Sequence, residues 1–116
     1  MVGDQLLVNM NAAPVLVQFD FPFPGPFGSD MEAALKDLAV SITQEPGFLW
    51  KIWTENEEAR EAGGIYLFTD DSSARAYIAK HTARLRSFGI SEVRVKIFDV
   101  NDKLTALTRG PAGSAV

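Results

Sequence analysis

Phe48-Leu49-Trp50-Lys51-Ile52-Trp53-Thr54 and, after a charged connection from Glu55 to Glu61, Gly64-Ile65-Tyr66-Leu67-Phe68-Thr69 decide the fold. Both are short, aromatic and β-branched, the composition of strands. Large apolar groups alternate onto both faces of each. Leu49 and Trp53 oppose Phe48, Trp50 and Ile52, and Ile65 and Leu67 oppose Tyr66 and Phe68. A sheet that is apolar on both faces needs cover on both. Helices supply one cover, and something else must supply the other.

Upstream, Val15-Leu16-Val17-Gln18-Phe19-Asp20-Phe21 alternates, with Val15, Val17, Phe19 and Phe21 on one face, which predicts a strand. Pro22-Phe23-Pro24-Gly25-Pro26-Phe27-Gly28 cannot continue it, because each proline lacks an N–H donor; this is a stiff loop carrying two aromatic rings. Ser29 with Glu32 three residues on forms a capping box at a helix start. Met31, Leu35, Leu38, Ala39 and Ile42 make one helical stripe, which Pro46-Gly47 ends. Downstream, Gly63-Gly64 is expected as a turn or bulge opening the third strand. Asp71 or Ser72 caps a second helix, whose apolar face is Ala74, Tyr77, Ile78, His81, Leu85 and Phe88, and Gly89 terminates it. The stretch from Val93 to Val100 alternates as a fourth strand.

The order is βαββαβ, so the expected class is α+β and ferredoxin-like, a four-stranded antiparallel sheet with two helices on one face. The other face, left bare, would expose more than the about 400 Å² that soluble proteins usually tolerate. A sheet-to-sheet homodimer covers it. The expected limits are a flexible leader over residues 1–14, one domain over 15–102, and a C-terminal extension over 103–116 with a frayed end.

Bulk properties narrow the function. The chain has 116 residues, 47% of them hydrophobic and 22% charged, which is globular rather than disordered. Eight Phe, two Tyr and two Trp are a large aromatic load for this length. A net charge of −4 argues against nucleic-acid binding, which needs a basic face. With no cysteine there is no disulfide framework and no thiolate chemistry. No apolar run reaches the roughly 18–20 residues of a membrane span, and the start lacks the pattern of a signal peptide, so a cytoplasmic location is expected.

The stretches Gln44-Glu45-Pro46-Gly47-Phe48-Leu49-Trp50-Lys51-Ile52-Trp53-Thr54-Glu55, Glu61-Ala62-Gly63-Gly64-Ile65-Tyr66-Leu67-Phe68-Thr69-Asp70 and Lys80-His81-Thr82-Ala83-Arg84-Leu85 resemble the YdhR family of mono-oxygenases. The similarity runs from about Leu16 to Asp102. It implies a dimeric α+β barrel, in which two ferredoxin-like subunits close a barrel across their interface. Some relatives in that superfamily oxidise polyketide-like aromatic rings with O₂ and no cofactor, others degrade haem, and others are stress or binding proteins. The resemblance therefore speaks to fold more directly than to reaction.

Several residues are candidates for chemistry. His81, the only histidine, lies on the apolar stripe of the second helix, where a neutral imidazole acts as a general base or simply bonds a backbone carbonyl. Arg84, one turn on, faces the same cavity as an anion stabiliser or is a solvated helix charge. Tyr66 offers a phenol to a substrate oxygen or caps a backbone group. Trp50 and Trp53 point to opposite faces, one to a flat ligand and the other to the dimer, with ordinary packing as the alternative for both; Trp50 is the one expected as the pocket wall. Phe48, Phe27 and Tyr77 complete the expected substrate-binding set, each with ordinary packing as its alternative. One His and no Cys leave no recognisable metal site, and no nucleophile-elbow motif surrounds a serine.

Two functions remain. One is a cofactor-independent monooxygenase acting on a small apolar aromatic, polyketide-like or quinol-like, with His81, Tyr66 and Arg84 as its catalytic residues. The other is a non-enzymatic dimeric binding module for a small hydrophobic ligand, which needs the same pocket and no base.

Overall fold

The computed structural model describes residues 13–111. Its elements are β1 (Val15–Pro22), α1 (Gly28–Ile42), β2 (Phe48–Asn56), β3 (Glu61–Phe68), α2 (Asp71–Ser87), β4 (Arg94–Asp99) and α3 (Asp102–Leu107). The ferredoxin-like βαββαβ order is present, followed by a short third helix that the sequence pattern does not announce. Of the expected leader only Ala13 and Pro14 are described, and the end of the C-terminal extension beyond residue 111 also lies outside the described residues.

The sheet is antiparallel throughout, in the order β2-β3-β1-β4. β1 is interior, which accounts for its regular alternation of buried and half-buried residues. Val17 lies opposite Tyr66 on one side and Ile97 on the other, and Val15 opposite Phe68. These side chains share one face. They join Met31 and Ile42 of α1 and Ala74, Tyr77 and Leu85 of α2 in one buried cluster. Each large side chain taken fully from water contributes about 1.5–3 kcal/mol, so this face holds the fold together.

Three local expectations are corrected. Ser29 does not cap α1: the helix starts at Gly28, and its N-cap, Phe27, makes no side-chain capping bond. The Gly28 N–H instead donates to Glu55 Oε1 at 2.8 Å, so a carboxylate from β2 replaces the local capping box. Neither Asp71 nor Ser72 caps α2; Asp70 does, accepting from the Ser73 N–H at 2.8 Å. Gly63-Gly64 is neither turn nor bulge but lies inside β3, paired with β1 and β2. A Cβ at Gly63 would run into the Phe19 carbonyl oxygen, so glycine there serves close strand approach.

A fourth correction concerns the faces of β2. Phe48 pairs with Phe68, but Trp50 pairs with Leu67, so a register shift lies between Phe48 and Trp50. The shift reverses the alternation after Leu49. Phe48, Lys51, Trp53 and Glu55 therefore share the helix-covered face with Phe68, Tyr66, Gly64 and Ala62, and Trp50 and Ile52 lie on the other. Phe48 and Trp50, expected together, are separated.

The caps are testable. The Ser73 N–H, first among several hydrogen bonds, lowers the Asp70 carboxyl to about 2. Its contribution is therefore complete above the ordinary carboxylate range and is lost as pH falls toward 2. Urea unfolding at neutral pH should show Asp70→Ala losing about 1 kcal/mol, and Ser29→Ala changing stability by less than about 0.5 kcal/mol.

Candidate functional site

A cavity of about 380 Å³ lies between the helix-covered face of the sheet, α1, α2 and the proline-rich loop. Its volume falls within the about 300–1,000 Å³ of small-molecule sites. Phe23, Met31, Leu35 and Leu85 supply carbon walls, and Lys51, Tyr66 and His81 supply the titratable groups. No carboxylate is among the lining residues.

The loop after β1 is pinned. The Phe23 N–H donates to the Arg60 carbonyl at 2.8 Å, and Arg60 Nη2 donates to the Pro24 carbonyl at 2.7 Å. Arg60 reaches this position from the β2–β3 turn with φ of 56°, in the left-handed region. Phe23 packs edge-on against both Phe21 and Phe27, with ring centroids 6.0 and 5.6 Å apart. Phe23 thus walls the cavity while Phe27 packs behind it.

The expected site residues divide. Trp53, Tyr66 and His81 line the cavity; Trp50, Phe48, Phe27, Tyr77 and Arg84 do not. Trp50 is on the opposite face of the sheet. Phe48 packs edge-on against Phe68, 6.1 Å away. Tyr77 and Arg84 stand behind the lining, bonded to Tyr66 and His81.

Arg84 organises that second layer. Its Nε and Nη2 lie 3.2 and 3.0 Å from His81 Nδ1, and Nη2 donates to the Tyr77 hydroxyl at 3.4 Å. A guanidinium has N–H groups and no acceptor, so it sets proton directions. Nδ1 of His81 must accept, which puts the neutral ring's proton on Nε2. The Tyr77 hydroxyl accepts from Arg84 and donates to the Tyr66 hydroxyl at 3.3 Å, leaving the Tyr66 proton free to donate elsewhere. His81 and Tyr66 are thus both arranged as hydrogen-bond donors.

This geometry bears on the base role expected of His81. Its accepting nitrogen is occupied by Arg84, so a base would have to break that bond first. Burial, then the charges of Lys51 and Arg84, lowers its pKa to about 3. The ring is 3% exposed, stacks on Tyr77 with centroids 5.1 Å apart, and meets the Phe19 ring edge-on at 5.1 Å. A protonated imidazole would put a second N–H against the guanidinium. Burial also raises the pKa of both Tyr66 and Tyr77, so both stay protonated.

Lys51 is the residue that pattern reading passed over. Its Nζ sits 3.2 Å from the centroid of the Trp53 ring and 4.6 Å from that of Tyr66. Desolvated cation–π contacts of this kind are worth about 2 kcal/mol. Gly64 makes the seat possible, because a Cβ there would fall 2.6 Å from Lys51 Cε. Burial first, and the charge of Arg84 second, lowers the amine to about 7. The signal in the sequence is a single lysine inside an otherwise aromatic and aliphatic strand.

Among the described residues, no group of three or more His, Cys, Asp or Glu side chains is placed to hold a metal ion. Among them, too, no helix is long and apolar enough to cross a membrane.

The proton directions can be read in solution. Nitrogen-15 NMR of the imidazole should show the Nε2–H tautomer with no titration between pH 7.5 and 4.5. Arg84→Met should raise the ring's pKa and mix its tautomers, because the guanidinium both occupies Nδ1 and opposes a second positive charge.

The architecture recurs in solved structures. SnoaB, a cofactor-independent oxygenase from Streptomyces nogalater, is similar at 20% identity over 78% of this chain and 95% of that one, with a TM-score of 0.57. A haem-degrading protein from Mycobacterium tuberculosis is similar at 18% identity over 78% of this chain and 94% of that one, with a TM-score of 0.52. A protein from Shewanella oneidensis matches at 16% identity over 78% of this chain and 93% of that one, with a TM-score of 0.55. At these identities the likeness is one of fold. No curated protein sequence matches the chain. The family model described as "Putative mono-oxygenase ydhR" matches residues 16–111, the same span that carries the sheet, the helices and the cavity; the chain belongs to the ydhR mono-oxygenase family.

Proposed function

We propose that the protein is a cofactor-independent monooxygenase whose substrate is a flat, apolar aromatic with an acidic C–H, polyketide-like or quinol-like, held in the cavity beside Trp53. The observation that carries this reading is one guanidinium bonded to His81 Nδ1 and to the Tyr77–Tyr66 hydroxyl pair beside a carbon-walled cavity without a carboxylate, an arrangement that leaves Tyr66 O–H and His81 Nε2–H as donors. Such donors favour the oxygen of a substrate as negative charge develops on it. Loss of the C–H proton gives an anion delocalised onto that oxygen, and the anion supplies electrons to O₂. For an anthrone-like CH₂ the balance is CH₂ + O₂ → C=O + H₂O. One oxygen atom enters the product, the other leaves as water, and the substrate itself is the reductant.

The test is oxygen uptake by the purified protein with anthrone-like and hydroquinone substrates, with no cofactor added. Uptake should saturate with substrate. His81→Leu should lower kcat/KM by about 10²-fold, the usual cost of one such donor. His81→Gln keeps an N–H and an acceptor for Arg84 and should retain most of the rate. Equal losses in the two variants would exclude the donor role. Saturable ligand binding with no uptake across the panel would transfer the function to the binding-module reading.

The same reading includes a second copy of the chain on the outer face of the sheet. Leu16, Trp50, Ile52, Ile65 and Phe98 lie on that face around the already buried Leu67, with Ile52 and Phe98 50% and 47% exposed. Trp50 Nε1 is buried there without a hydrogen-bond partner. Sedimentation equilibrium should give a dimer, and the double variant Ile52→Glu with Phe98→Glu a folded monomer. A wild-type monomer at micromolar concentration would overturn this part.

A further inference from the structure

We infer that Lys51 is the proton acceptor of this site: its amine, seated on the Trp53 ring at the cavity wall, takes the acidic proton of the bound aromatic and then pairs, as an ammonium, with the anion it has made. The ligand class rests on the oxygenase reading above; the base itself does not.

Lys51 lines the cavity, and no ion pair among the described residues involves it. The groups near it from β3 and α2 are Tyr66, His81 and Arg84, a protonated phenol, a neutral imidazole and a guanidinium. From α1 the lining contributes Met31, Leu35 and Leu38, which carry no charge. A buried ammonium with a guanidinium nearby and no carboxylate is disfavoured, so the free amine is available near neutral pH. The other nitrogen base at the cavity, His81, already has its lone pair engaged by Arg84.

The seat is specific to this role. Gly64 leaves the space that the lysine side chain occupies, and the Trp53 and Tyr66 rings hold the cationic form once it appears. In the step itself, the substrate C–H bond breaks, its electron pair stays on the substrate, and the nitrogen lone pair forms the new N–H bond. The product is an ion pair within the cavity. Tyr66 and His81 then donate to the anionic oxygen, and the new ammonium lies beside the anion as its counter-ion, with the net charge of the cavity unchanged. Because the free amine is the active form, the rate of proton removal rises as pH increases through about 7 and then levels.

The first experiment needs no substrate. Trace labelling of amines with acetic anhydride across pH 5–11, read by peptide mass spectrometry with the exposed Lys36 as internal standard, should give Lys51 a midpoint near pH 7. A midpoint above pH 9 overturns the proposal, because the amine would then be protonated at working pH. The second experiment adds an anthrone under argon. Wild-type protein should develop the absorption of the bound anion, and Lys51→Met, checked for folding by thermal unfolding, should not. Anion formation that is equal in Lys51→Met also overturns the proposal. In air, Lys51→Met and Lys51→Arg should each lose about 10²-fold in kcat/KM, since neither side chain accepts a proton at neutral pH. Oxygen uptake that survives Lys51→Met within threefold removes Lys51 as the base and leaves the oxygenase reading standing. Anion formation without oxygen uptake does the reverse.

Discussion

Between Phe48 and Trp50 the second strand carries one residue more than its partner, and the site depends on that extra residue. A strand alternates its faces with a period of two, so one insertion exchanges every side chain that follows it. Here it turns Lys51, Trp53 and Glu55 toward the helices and Trp50 and Ile52 away. Without it, the cavity would face Trp50 and Ile52, the amine would point out of the sheet, and α1 would lose the carboxylate that caps it. A local irregularity thus aligns a cavity wall, a titratable group and a helix start at once.

The second constraint is the one-sidedness of the Arg84 guanidinium. Because it only donates, its two partners must accept, and each passes a fixed proton direction onward. His81 presents Nε2–H, and Tyr77 directs Tyr66 to present O–H. Two side chains at the cavity are thus oriented by one that lies outside the lining. The arrangement resembles other sites that use a neutral imidazole as a donor rather than a base. Burial reinforces it by raising the tyrosines and lowering the histidine, which keeps all three neutral at physiological pH.

Aromatic packing links these constraints. Tyr66 contacts Phe19, Phe68, Tyr77 and His81 with centroids 5.0–6.2 Å apart. Such pairs contribute about 0.5–1.5 kcal/mol each beyond their burial. The rings that stabilise the core therefore also hold the donors at its edge. Phe21, Phe23 and Phe27 form a separate edge-on set, and Arg60 anchors the loop that carries the last two, so this wall of the cavity is held from both sides.

Periodicity in the sequence determined the elements, their order and the buried face of β1, because hydrophobic alternation and helical stripes are local properties of the chain. It also identified both faces of the middle strands as apolar, and of the residues it offered Trp53, Tyr66 and His81 reach the cavity, whereas Trp50, expected as the pocket wall, does not. It did not determine the faces of β2, because a bulge changes no residue's identity and only shifts pairing with a distant strand. It placed the helix caps at Ser29 and at Asp71 or Ser72, whereas the carboxylates that cap are Glu55, twenty-seven residues from its helix start, and Asp70. The tautomer of His81 is set through space by Arg84. Lys51 appeared as an ordinary strand lysine until Gly64, Trp53 and Tyr66 were brought around it. Solvation, proton direction and strand register arise from contacts between segments, and those contacts exist only once the chain has folded.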